Sequence, residues 1–263
     1  MKIAFLGVGN MAGAILGSLH DVVPEENIIL YDRFPAAVER FADRAYRIAD
    51  SASAAVSAAD CIIFAVKPQN LPELFAELNT TACDGKVIVT IAAGVKMSAF
   101  TDALGNLPVI RVMPNTPMLI GAGVSALCRN QLVDDETFAF VRSLFDAAGQ
   151  TLVLDEADMN KIISVTASSP AYVFLFIKSI YESGLAQGLA DHDLLEAVCN
   201  TVIGSARLVK ESGKTPDELI AMVTSKKGTT EQAMLKLHAQ NFSETIHDAM
   251  LACTARAEEL GRS

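Results

Sequence analysis

The feature that most limits what this chain can fold into is its opening passage, Ile3-Ala4-Phe5-Leu6-Gly7-Val8-Gly9-Asn10-Met11-Ala12. Four apolar residues stop at a glycine, a second glycine follows at the next position but one, and a helix can continue through Ile15 and Leu16. One reading is a strand, a tight turn and a helix, the first unit of a sheet. Another is a secretory leader, with Lys2 as its basic residue and Ala12-Gly13-Ala14 as its small-residue cleavage site. The remainder of the chain decides between them.

Four further apolar runs follow. Ile28 to Tyr31 is closed by Asp32, Cys61 to Val66 by Lys67-Pro68, Val87 to Ile91 by Ala92-Ala93-Gly94, and Val109 to Met113 by Pro114. Segments with helical spacing lie between them, such as Pro35 to Ala42 and Leu71 to Leu78. Continuous apolar strands alternating with helices predict a mostly parallel, doubly wound sheet covered on both faces. Gly123 to Cys128 and Thr151 to Leu154 add two later strands. A cleaved leader would delete the first strand of this sheet, so the leader reading is rejected.

That context gives the glycines a chemistry. Gly7-x-Gly9-x-x-Ala12 after a first strand, with Asp32 closing the second about 20 residues on, is the pattern of a dinucleotide-binding Rossmann domain. Gly7 permits the turn, and Gly9 lets backbone approach a pyrophosphate. Asn10 and Met11 open the helix whose N–H groups face the phosphates. Asp32 suits a ribose 2′-hydroxyl and favours NADH. Arg33 suits a 2′-phosphate and favours NADPH, or is simply a solvated charge. Ala65, Val66, Lys67 and Pro68 lie at the carboxyl edge of the third run, where such sheets bind ligands. Lys67 faces cofactor phosphate or ribose there, or is an ordinary loop lysine. Asn115, between Pro114 and Pro117, either contacts the nicotinamide side of the cofactor or satisfies its own rigid turn.

Beyond Asp155 the pattern holds no convincing strand. Two domains are expected, a dinucleotide-binding one over 1–155 and an all-α one over 156–263. Ser169 suits an N-cap and Pro170 a first helical position for a long helix reaching Gly184 or Gly188. Helices are also expected over Asp191 to Glu211 and Asn241 to Leu260. Thr215-Pro216-Asp217-Glu218 is a capping box, and Thr229-Thr230-Glu231-Gln232 a second, with Thr229 capping and Gln232 replying. The polar turn Val223 to Thr230 runs into that second helix start. Ser225, Gly228, Thr229 and Thr230, beside Lys226 and Lys227, form an anion site suited to a carboxylate.

Other classes are disfavoured. A net charge of −10 is the wrong sign for a nucleic-acid binder. The five cysteines are odd in number and widely spaced, and the four histidines are scattered, which argues against a metal site and for a reducing, cytoplasmic setting. The apolar run Ala171 to Ile177 ends at Lys178, short of the roughly 20 residues of a membrane span, and predicts no membrane association.

Taken together, GVGNMA (7–12), AVKPQ (65–69), RVMPNTP (111–117), SPAYVF (169–174) and VTSKKGTT (223–230) resemble the pyrroline-5-carboxylate reductase family over essentially the whole chain. The resemblance implies a Rossmann domain followed by a helical domain that forms an intertwined homodimer, sometimes assembled further. It implies NAD(P)H-dependent reduction of 1-pyrroline-5-carboxylate to L-proline, the last step of proline biosynthesis, with NADPH preferred. It also implies that the 223–230 turn binds the substrate carboxylate and that Thr230 hydrogen-bonds the ring nitrogen. The family usually has Pro-Gly where this chain has Lys226-Lys227, and Ser-Gly-Ser-Gly-Pro where it has Thr166-Ala167-Ser168-Ser169-Pro170. The nearest rival, a β-hydroxyacid dehydrogenase, needs a basic lysine one turn into the long helix. Tyr172-Val173-Phe174 supplies none there, and Lys178 comes too late. A non-catalytic cofactor sensor would keep Gly7 and Gly9 without needing the hydroxyl turn.

Overall fold

The computed structural model describes residues 1–78 and 83–261. The chain folds into two compact units, Met1–Pro170 with the chain from Ala252 onward, and Ala171–Leu251. The end of the last helix returns to the first unit. Packing explains the return. Gly94 lies so close to the last helix that a Cβ there would sit 2.5 Å from the Ala257 carbonyl oxygen. Cys253 Sγ and Thr254 Oγ1 lie 3.2 and 3.3 Å from the hydroxyls of Ser168 and Ser164.

The first unit is built on an eight-stranded sheet of order β3-β2-β1-β4-β5-β6-β7-β8. The strands are β1 (Ile3–Leu6), β2 (Ile28–Tyr31), β3 (Arg47–Ile48), β4 (Cys61–Phe64), β5 (Val87–Thr90), β6 (Val109–Met113), β7 (Gly123–Arg129) and β8 (Gly149–Val153). All neighbours pair parallel except β6 and β7. Successive residues of a strand point to opposite faces, so each apolar run feeds two layers. Ile3, Phe5, Ile63 and Val89 enter one core with Ile15, Leu16 and Phe145. Ala4, Leu6, Ile62 and Ile88 enter the other with Val56, Leu74 and Phe100. Burial on both faces is what the unbroken apolar runs require. The apolar runs ending at Val66 and Ile91 stop being strand at Phe64 and Thr90. Strand β3 has two exposed residues and no apolar run, so nothing in the sequence marked it.

Registers align the carboxyl ends that matter. Leu6 pairs with Tyr31 of β2 on one side and with Phe64 of β4 on the other. The segments following β1, β2 and β4 therefore leave the sheet side by side. The chain order reverses between β1 and β4, the place where doubly wound sheets open a crevice.

The helices covering this sheet are α1 (Asn10–Ser18), α2 (Pro35–Glu39), α3 (Ala52–Ser57), α4 (Leu71–Glu77), α5 (Met97–Leu104) and α6 (Asp135–Asp146). Then α7 (Met159–Ile162) runs through a π-helical turn, Ile163–Ala167, into α8 (Ser169–Ala186). This corrects the expectation that Ser169 caps a new helix. Ser169 lies inside a continuous one, and its hydroxyl donates to the Val165 carbonyl at 2.5 Å. The serine-rich stretch looked like a break, but back-bonding of this kind keeps such residues helical.

The second unit carries the rest of α8, then α9 (Leu194–Glu211), α10 (Pro216–Val223), α11 (Thr229–Ala239) and the start of α12 (Phe242–Leu260). Thr215 and Glu218 form the expected reciprocal capping box. Few side chains are buried here, among them Val198 and Leu219, while Phe174, Leu175, Phe176 and Ile180 are exposed. The stretch Glu156–Ala186, 31 residues of mean hydropathy 1.3, is long and apolar enough to cross a membrane by length and composition alone. The exposed apolar side chains of α8 lie among Lys178, Ser179, Glu182 and Ser183.

Candidate active site: a dinucleotide groove and an anion-binding turn

The crevice beside β1 is a groove of about 440 Å³. Gly7, Gly9, Asp32, Arg33, Ala65, Val66 and Lys67 line it, all of them singled out from sequence, together with Tyr31, Phe34, Gln69, Asn70, Glu73 and Glu77. Asn10 and Met11 stand at the start of α1 beyond its wall, and Pro68 opens the short 3-10 turn Pro68–Asn70. The groove suits a dinucleotide on two counts. Gly7 has φ +92° and donates its N–H to the Tyr31 carbonyl at 2.8 Å. A Cβ on Gly7 would meet Val66 Cγ1 at 2.7 Å and Ala65 backbone at 3.0 Å, so only glycine closes the turn there. A Cβ on Gly9 would meet nothing within 4 Å. The backbone at the mouth of α1 is thus open to a ligand, with first-turn N–H groups that have no helical acceptor.

Asp32 makes two backbone contacts at the edge of this groove. One carboxylate oxygen accepts from the Val8 N–H at 2.7 Å, the other from the Phe34 N–H at 2.9 Å. Asp32 thereby ties the glycine turn to the end of β2. Arg33 pairs with Glu73 at 2.8 Å and lies over the Phe34 ring, 4.9 Å from its centroid. Burial, then the neighbouring Glu77 carboxylate, raises the Tyr31 phenol above its ordinary pKa, so it stays protonated at neutral pH.

Arg40 was not singled out from sequence. Its Nη2 donates to the carbonyls of Val8 and Gly9, at 2.6 and 2.7 Å. Asp32 holds the turn by an N–H, and Arg40 holds it by two carbonyls. The second clamp leaves a positive charge beside the mouth of α1. It was invisible because Arg40 is 31 residues from Gly9 and carries no motif.

Of the two roles open to Asn115, its amide makes the one that satisfies nearby backbone. The side chain is buried, its Nδ2 donates to the Thr166 carbonyl at 2.9 Å, and its Oδ1 accepts from the Val124 N–H at 2.8 Å. Thr166 is four residues before Pro170. A proline has no N–H for that carbonyl, and Asn115 replaces the missing donor. The proline inside a continuous helix and the asparagine in the 113–117 loop are one device.

In the second unit, the turn after α10 leads into α11 through Gly228. The expected cap by Thr229 with a reply from Gln232 does not form. Gly228 is the N-cap, no side chain caps it, and Thr229 is the first helical residue. The Glu231 carboxylate instead accepts from the Lys227 N–H at 2.7 Å. Lys227 has φ +61°, a left-handed conformation rare for a residue with a Cβ. A Cβ on Gly228 would collide with the Ser225 hydroxyl. The first turn of α11 therefore presents backbone N–H groups without a side-chain cap and the hydroxyls of Thr229 and Thr230 without a capping duty, an arrangement with the polarity to suit an anion.

A doubly wound sheet with this groove, followed by an all-helical region, defines an NAD(P)H-dependent oxidoreductase with a separate helical domain. Residues 2–94 match the family described as NADP oxidoreductase, coenzyme F420-dependent, and residues 156–260 match pyrroline-5-carboxylate reductase dimerisation. The Escherichia coli K12 pyrroline-5-carboxylate reductase is 35% identical, with 100% of this chain and 99% of that one covered. A solved 1-pyrroline-5-carboxylate reductase from Streptococcus pyogenes superposes with a TM-score of 0.92 at 31% identity, covering 98% of each chain. A Plasmodium falciparum pyrroline carboxylate reductase with NADP bound does so with a TM-score of 0.92 at 25% identity, covering 99% of this chain and 98% of that one. The chain belongs to the pyrroline-5-carboxylate reductase family.

Proposed function

We propose that this chain reduces 1-pyrroline-5-carboxylate to L-proline with NADPH, NADH serving as the alternative, as the last step of proline biosynthesis. The observation that carries this reading is the free first turn of α11, where Thr229 and Thr230 keep their hydroxyls uncommitted to capping. The bound dinucleotide would supply a hydride from its nicotinamide C4. Gly7, Gly9, Asn10, Met11 and Lys67 would hold its phosphates and ribose, in the groove that Asp32 and Arg40 keep shaped. Ser225, Gly228 and Thr229 would bind the substrate carboxylate with backbone N–H groups and hydroxyls. Thr230 would donate its hydroxyl hydrogen bond to the lone pair of a neutral imine nitrogen, or accept one from the N–H of the protonated ring, and in both cases it orients and polarises the C=N bond whose carbon accepts the hydride. A protonated imine needs no stronger acid, so positioning supplies much of the acceleration.

The partner reading follows from the apolar surface of α8. A second copy would cover Phe174, Leu175, Phe176 and Ile180, giving a homodimer in the cytoplasm, itself able to assemble further, with no membrane or nucleic acid involved. The test follows reduced-cofactor absorbance with racemic 1-pyrroline-5-carboxylate and each dinucleotide in parallel. Rapid substrate-dependent oxidation is expected, and Thr230→Ala should lower kcat more than it raises KM. A Thr230→Ala enzyme with unchanged kcat would remove Thr230 from the mechanism. Binding of both dinucleotides without oxidation would remove the reductase reading.

A further inference from the structure

We propose that Glu73 is a specificity-determining residue: its carboxylate competes with the 2′-phosphate of NADPH for Arg33 and so sets how strongly this chain discriminates NADPH from NADH. The proposal rests on the reading of the groove as a dinucleotide site. Its basis is the allocation of charge at the end of β2, where dinucleotide sheets meet the adenosine ribose. Both oxygens of Asp32 accept backbone N–H groups of the turn. Arg33 is the side chain there with a positive charge to offer a 2′-phosphate, the other cation lining the groove among the described residues being Lys67 after β4. Arg33 is already engaged. Glu73, in the first turn of α4, holds its Nη1 at 2.8 Å, and the Phe34 ring lies beneath the guanidinium. Glu77, one turn further along α4, adds a second carboxylate to the same wall.

The two cofactors feel this arrangement differently. A ribose 2′-hydroxyl carries no charge and is indifferent to Glu73. A 2′-phosphate, close to dianionic at neutral pH, must share the guanidinium with Glu73 or displace it, and in either case it stands against a like charge. An exposed pair of this kind is weak, so the effect is a moderate factor rather than an absolute switch. Glu73→Gln keeps the length of the side chain and an oxygen that can still accept from Arg33, while removing the charge. Arg33→Met removes the guanidinium and keeps a flexible stem of similar reach.

Fluorescence titration of NADPH and NADH onto the whole protein, without substrate, reads the effect directly. Glu73→Gln should tighten NADPH by roughly three- to sixfold, the scale of one exposed charge acting on a dianion. NADH should move by less than about 1.5-fold on the same argument. In an Arg33→Met background the gain should shrink, because the contested group is gone. The ratio of the two KM values in the steady-state assay should shift in the same direction. Equal movement of both dinucleotides, or no movement of NADPH, would overturn the role of Glu73 while leaving the groove intact. Failure of the unaltered protein to bind either dinucleotide would overturn the groove reading and the proposal together.

Discussion

Lys227 offers a direct test of how this family member has spent stability in the turn before α11. Its φ of +61° places a Cβ-bearing residue in the left-handed region, which costs an L-residue about 1–2 kcal/mol. Lys227→Gly removes that cost. It also widens the unfolded ensemble, which offsets about 0.5–1 kcal/mol of the gain. The hydrogen bond from the residue-227 N–H to the Glu231 carboxylate is a backbone contact and survives the change. The net expectation is a stabilisation of about 0.5–1 kcal/mol, or about 1–4 °C in apparent Tm. Two other non-glycine residues share this region, Asp193 at φ +60° and Asn241 at φ +52°. Asn and Asp tolerate it better than lysine, so the gain should fall in the order Lys227→Gly, Asp193→Gly, Asn241→Gly. Lys227→Asn separates backbone from charge, because it removes the ammonium yet keeps a side chain suited to the left-handed region. Differential scanning fluorimetry at fixed protein concentration reads all four. Asn241→Gly stabilising as much as Lys227→Gly, or Lys227→Gly lowering Tm, would refute the argument.

Arg40→Ala should weaken NADPH and NADH by a similar factor, roughly three- to tenfold as for loss of charge-assisted bonds, because Arg40 acts on the turn rather than the ribose; a titration in which only one dinucleotide responds would contradict that assignment. Asn115→Ala strands the Val124 N–H and the Thr166 carbonyl together and should cost about 2–4 kcal/mol in chemical denaturation. Burial, and then Asp60, pushes the Cys61 thiol up to about 12; burial, and then Glu156, does the same for Cys128. Thiol labelling at pH 8 should accordingly reach Cys199 and Cys253 first, with Cys61, Cys83 and Cys128 reacting only after denaturation, since the thiolate is the reactive form.

The sheet was readable because its strands are buried on both faces and so write themselves as unbroken apolar runs. The glycine turn was readable because two of its positions tolerate only one residue type or gain from it. What stayed hidden is long-range pairing. Arg40 reaches back to Gly9, Glu73 reaches Arg33 and Asn115 reaches Thr166, and none of these pairs has a local signature. The starts of α8 and α11 were misread for another reason. Ser169 and Thr229 have the composition of caps, but a cap depends on where the backbone turns. Near the first, the distant Asn115 amide holds the Thr166 carbonyl; at the second, the Glu231 carboxylate takes the Lys227 N–H four residues before it.

The asparagine that stands in for the proline's missing donor also couples two positions 55 residues apart in the chain. With any ordinary residue at position 170, the Thr166 oxygen would have its own helical partner, and a side-chain amide arriving at 115 would find a second lone pair to use. Proline at 170 without the asparagine would leave that oxygen stranded. Asn115→Ala should therefore be better tolerated in a Pro170→Ala background than alone. Two residues that share no motif thus act as one unit, and the free energy of either is defined only with the other in place.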